Sequence, residues 1–68
     1  MDDCFLSIVI PAYNESKRLP RTFNQIKPWL GEQAFSYEVI LVDDGSKDET
    51  VEICRQFQKD WPQLRLIE

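Results

Sequence analysis

The sequence predicts an α/β fold built from parallel strands and helical crossovers, in the order strand, helix, strand, helix, strand. Two observations carry this expectation. Short apolar runs rich in Ile, Val and Leu occur at "CFLSIVIPAY", "YEVILV" and "QLRLIE". Between them the apolar residues recur every three or four positions, the spacing of one helix face. Strands and helices that alternate in this way imply parallel pairing through right-handed crossovers.

Each element follows from its residues. "CFLSIVIPAY" is nearly continuous in apolar side chains, which suits a strand buried on both faces that stops at Pro11. In "NESKRLPRTFNQIKPWLGE", Leu19, Phe23, Ile26 and Leu30 form one helical stripe. Ser16 is a candidate N-cap. Pro20 fits only in a first turn, so the regular helix begins near Leu19. Pro28 lacks a backbone donor and should kink or end that helix, with Gly31 closing the segment. Tyr37 to Val42 form the second strand. "SKDE", Ser46 to Glu49, has the spacing of a capping box. The next helix should bury Val51, Cys54 and Phe57, with Trp61 continuing the stripe before Pro62 ends it. A third strand then begins, so residues 1–68 read as the incomplete front of a larger α/β domain. A complete small protein is the other reading.

Composition narrows the function. With 68 residues the chain holds at most one small domain, which buries only about 60% of the surface its unfolded form exposes. A hydrophobic content of 43% is too high for a disordered segment. The net charge is −4 and no basic run occurs, which argues against a nucleic-acid partner held through its phosphates. There is no histidine, so a Cys/His zinc site and His-dependent nucleophiles are both excluded. Cys4 and Cys54 lie far apart and read as buried thiols of a reduced, cytoplasmic compartment. The amino terminus has acids where a signal peptide needs bases. No apolar run approaches the ~20 residues that span a bilayer, so a soluble chain is expected.

In a parallel α/β sheet, ligands bind beyond the carboxyl ends of the strands. Two polar clusters fall there: "PAYNE", Pro11 to Glu15, and "DDGS", Asp43 to Ser46. Parallel neighbours bring both to one edge, where Tyr13 offers a ring for a base to stack on. Glu15, Asp43 and Asp44 offer carboxylates for a base N–H or ribose hydroxyls. No glycine-rich phosphate cradle of either common type is present. Plainer roles exist for each residue. Asp44-Gly45 could be a hairpin turn, but the capping box and helical period that follow oppose it. Asp43 could satisfy backbone donors at the helix start, Tyr13 could pack at a strand end, and Glu15 could be a solvated acid. Trp29, Trp61 and the phenylalanines read as core or partner-domain contacts.

"SIVIPAYNE" followed by "YEVILVDDGSKDET" resembles the amino-terminal part of the family 2 inverting glycosyltransferases, whose GT-A fold carries a Rossmann-like nucleotide-binding half. With "KRLP", Lys17 to Pro20, the pattern is most similar to the dolichyl-phosphate and polyprenyl-phosphate glycosyltransferases. The resemblance covers almost the whole chain but only the front part of such a catalytic domain. It implies a UDP- or GDP-hexose donor, a divalent metal (Mg²⁺ or Mn²⁺), and an acceptor that is a lipid phosphate, with the parent enzyme at the cytoplasmic face of a membrane. Pro11, Tyr13 and Glu15 match positions that line the base and ribose pocket. Asp44 matches the aspartate that accepts from the nucleoside. Asp43 matches the structural aspartate of the loop, alongside Gly45 and Ser46, while Ala12 and Asn14 shape the first turn.

The resemblance also implies what lies elsewhere. The family's metal- and diphosphate-binding DxD motif comes after a later strand, and no DxD occurs here. No residue of this segment is therefore assigned as catalytic or as a metal ligand, and the isolated segment is expected to be inactive. Two rivals differ in class. A receiver-like Mg²⁺-binding signalling fragment would place "ILVDDGS" on its first strand, whereas a whole strand and helix precede it here. A non-catalytic nucleotide-binding module would leave sheet edges open and invite self-association.

Overall fold

The computed structural model describes residues 6–68; Cys4 and the first residues of the expected opening strand lie outside them. The described chain runs β1 (Leu6–Ala12), α1 (Leu19–Gly31), β2 (Tyr37–Asp43), α2 (Thr50–Gln58) and β3 (Leu64–Ile67). The three strands form one parallel sheet in the order β1-β2-β3. The expected α/β alternation is the observed one.

The register decides which side chains share a face. Ile8, Ile10 and Ala12 stand beside Val39, Leu41 and Asp43, and Leu64 and Leu66 continue the row. This face meets both helices. Val39 and Leu41 are fully buried there with Leu19, Phe23, Leu30, Cys54 and Trp61. Phe23 sits at the centre, its ring edge-on to Phe57 at 4.9 Å and to Trp61 at 5.4 Å. Trp61 also donates from Nε1 to the Tyr37 hydroxyl at 2.7 Å, which satisfies the polar end of a buried indole.

Burial on both faces of the first strand is not observed. Val9 and Ile67, on the other face, are more than half exposed. Both crossovers lie on the same side, so among the described residues nothing covers the second face. Nor does the strand stop at Pro11. Pro11 lies inside β1, paired in register with Val42. It is tolerated because β1 is an edge of this sheet and an edge residue need not donate to a ladder.

The helices differ from expectation mainly at their ends. α1 begins at Leu19 with Pro20 in its first turn, but Ser16 does not cap it. The Glu15 carbonyl instead accepts from the Arg18 and Leu19 amides. Pro28 neither breaks nor ends the helix, which continues to Gly31, although a proline at this interior position removes one helical hydrogen bond. The Ser46–Glu49 capping box does not form. α2 starts at Thr50, and Glu49 makes no side-chain cap. Its expected stripe holds at Cys54, Phe57 and Trp61 and is widened by Thr50 and Ile53. Thr50 and Cys54 are buried and Ile53 and Phe57 pack on the core, with Val51 half-buried. Trp29, read as a core or partner-domain contact, is 54% exposed and so is not part of this core.

Candidate nucleotide-binding edge

The site is set by the ends of β1 and β2. Ala12 and Asp43 are register partners, and the Asp44 amide donates to the Ala12 carbonyl at 2.9 Å. The two following loops therefore leave the sheet side by side. "PAYNE" and "DDGS" share the carboxyl edge, as parallel pairing demands.

The adjacent aspartates diverge. Asp43 ends the row of residues facing the helices and is 7% exposed, whereas Asp44 lies one residue beyond the strand and is exposed. Asp43 Oδ2 accepts from the Ser46 amide at 3.0 Å, closing the loop. Its Oδ1 is buried with no hydrogen-bond partner among the described residues. Between the aspartates and Ser46, Gly45 adopts φ +75°, a left-handed conformation that a residue with a Cβ resists. Burial raises the nearby Cys54 thiol to about 11; the Arg55 charge opposes this and the Asp43 charge adds to it. Cys54 is thus an inert core thiol.

The loop after β1 is held from the other side. Asn14 takes φ 52°, a region that asparagine tolerates better than most residues. Its amide donates to Ser46 Oγ at 2.8 Å, and its Oδ1 accepts from the Lys47 amide at 2.8 Å. Ser46 is consumed by this long-range contact and by Asp43, which explains why it caps no helix. Tyr13, next to Asn14, is 53% exposed, and Pro11 is exposed on the open face of the sheet. Glu15 is half-buried and forms a two-point ion pair with Arg18: Nε to Oε2 at 2.9 Å and a terminal nitrogen to Oε1 at 3.2 Å. Any ligand that uses the Glu15 carboxylate competes with Arg18 for it.

Two contributors escape motif reading, Asp48 and Thr50. Asp48 Oδ2 accepts from the Ser16 amide at 3.2 Å, and its Oδ1 accepts from the Thr50 amide at 3.0 Å and from the Thr50 hydroxyl. Thr50 Oγ1 in turn accepts from the Glu15 amide at 2.9 Å. These bonds, that from the Thr50 hydroxyl foremost, hold the Asp48 carboxyl down at about 2. The available signal was weak: an acid and a hydroxyl two apart at a helix start, without the sequence-distant partners that give them meaning.

The edge thus presents an exposed ring, one exposed carboxylate and one ion-paired carboxylate, on a loop pair fixed by side-chain to backbone bonds. Among the described residues no group of three or more His, Cys, Asp or Glu side chains is gathered to hold a metal. Asp43 is turned inward and Glu15 is engaged by Arg18, so the residues present do not fit a divalent ion. No described helix is long and apolar enough to cross a membrane.

Comparison with known proteins agrees with this arrangement. The model of the family described as Glycosyl transferase family 2 matches residues 7–68. A dolichyl-phosphate beta-glucosyltransferase of Trichomonas vaginalis is 38% identical over 93% of this chain and 21% of its own length. The human dolichyl-phosphate beta-glucosyltransferase is 44% identical over 81% of this chain and 20% of its own length. An uncharacterized glycosyltransferase of Bacillus subtilis, YkcC, is 36% identical over 91% of this chain. The chain spans about a fifth of the length of the curated relatives it matches. With both signature loops folded against each other at one sheet edge and the match running across nearly every residue, the chain belongs to glycosyl transferase family 2.

Proposed function

We propose that this chain forms the nucleoside-binding part of a hexosyltransferase, which moves a sugar from a UDP- or GDP-hexose to a polyprenyl or dolichyl phosphate. The observation that carries the reading is the shared edge. Tyr13 and Asp44 are exposed on two loops tied together at the carboxyl ends of parallel strands, where α/β sheets bind nucleotides. Tyr13 supplies a stacking face, Asp44 accepts from the base or ribose, and Pro11 and Glu15 complete the wall. Asp43, Gly45 and Ser46 fix the loop. The acceptor class is supported by the names of the Trichomonas vaginalis and human relatives, both dolichyl-phosphate beta-glucosyltransferases.

A divalent metal, Mg²⁺ or Mn²⁺, belongs to the parent enzyme in this reading. The donor set here does not suit it, so no step is assigned through it and the segment by itself transfers no sugar. The parent works at the cytoplasmic face of a membrane, where a lipid phosphate is presented. For the isolated chain, the open sheet face with Val9 and Ile67 favours self-association; sedimentation at rising concentration measures it.

The test is Asp44→Ala in the parent enzyme. Losing a hydrogen bond from a ligand donor to a charged acceptor costs about 1.5–3 kcal/mol, so donor KM should rise about tenfold or more. Acceptor KM should be unchanged. An unchanged donor KM contradicts the assignment.

A further inference from the structure

We propose that Asp48 and Thr50 are positioning residues for the donor site, clasping the β1–α1 loop so that Tyr13 and Glu15 stand in place. The inference rests on the donor-site reading above. Its basis is three consecutive amides of that loop, each of which donates to a side-chain oxygen from residues 46–50. Asn14 donates to Ser46 Oγ at 2.8 Å, Glu15 to Thr50 Oγ1 at 2.9 Å, and Ser16 to Asp48 Oδ2 at 3.2 Å. Irregular backbone is not satisfied by its own neighbours, so these contacts decide its shape.

Within the clasp, the bonds have a fixed direction. A hydroxyl has one proton, and that of Thr50 goes to Asp48 Oδ1. Its lone pairs are left for the Glu15 amide. The order Glu15 N–H to Thr50 O–H to Asp48 carboxylate is a chain in which each bond polarises the next. Thr50 is fully buried, so water cannot replace its hydroxyl, and its branched Cβ restricts rotation. Asp48 is on the surface, yet both of its oxygens are engaged. Neither residue needs to touch the donor. They act on the backbone that flanks Tyr13 and carries Glu15.

The test uses the chain with Thr50→Val, Thr50→Ser and Asp48→Asn, read by amide hydrogen exchange and by affinity for UDP and GDP. Thr50→Val keeps the shape and removes the hydroxyl. It should speed exchange at Glu15 at least tenfold while Leu41 in β2 is unchanged, and weaken the preferred nucleotide about tenfold. Thr50→Ser, which returns the hydroxyl, should restore both. Asp48→Asn, at an exposed position that does not threaten folding, should free the Ser16 amide and weaken the same nucleotide. Wild-type affinity in Thr50→Val and Asp48→Asn, with the β2 amides protected, overturns the positioning role and leaves the donor site standing. A wild-type chain that binds neither nucleotide overturns the donor-site reading, and this role falls with it.

Discussion

Replacing Phe23 by leucine should loosen the packing that holds both helices to the sheet. Phe23 is fully buried and its ring meets Phe57 and Trp61 edge-on. Each such pair contributes about 0.5–1.5 kcal/mol beyond its buried area, so losing two costs about 2 kcal/mol. A domain of this size is stabilised by only about 0.05–0.15 kcal/mol per residue, so the loss is a large fraction of the whole. At about 4–8 °C per kcal/mol for a small domain, the melting temperature should fall by about 8–16 °C. Trp61 fluorescence reports the transition directly, because Trp61 is buried; a Trp29→Phe background removes the exposed second indole. A fall of less than about 2 °C would refute the claim that these ring contacts hold the two helix layers together.

Three further outcomes follow from local chemistry. Gly45→Ala should cost about 1–2 kcal/mol from backbone strain at φ +75°. Open space surrounds the added Cβ, so Gly45→Asn should cost less than Gly45→Ala in the same thermal melt. Cys54 should resist a thiol reagent at pH 8 and react at once in denaturant. Its raised value of about 11 means that its contribution to stability is complete below the unfolded thiol's pKa and is lost as pH rises through about 11. Asp48 has the opposite sign. Its depressed value of about 2 means that the clasp is intact above the ordinary carboxylate range and opens as pH falls through about 2. The Ser16 and Thr50 amide shifts should follow that titration, in a hollow shared with Glu15, Lys17 and Arg18.

Elements were legible where the pattern is periodic and local. Leu19, Phe23 and Leu30 mark the buried face of α1 because a helix repeats its neighbours every few residues. Pro20 marks its start for an equally local reason. The faces of β1 were not legible, because Ile8, Val9 and Ile10 are all apolar while the register and same-side crossovers leave Val9 uncovered. The Ser46–Glu49 pattern misled for a different reason. Ser46 is engaged by Asn14, 32 residues away, and by Asp43, and a local motif cannot register a distant competitor. Asp48 and Thr50 escaped notice likewise, since their partners Glu15 and Ser16 belong to the other loop. The meeting of "PAYNE" with "DDGS" was legible, because parallel pairing of two predicted strands compels it.

The proposed nucleoside site consists of Tyr13, Glu15 and Asp44 on this edge. The most direct measurement is a ¹H–¹⁵N correlation spectrum of the chain titrated with UDP and then GDP, with and without Mn²⁺. Saturable shifts are expected at Tyr13, Glu15 and Asp44, stronger for one base than the other, while amides at the far end of β2 near Tyr37 stay fixed. A dispersed spectrum in which neither nucleotide moves those three amides would contradict the proposed site.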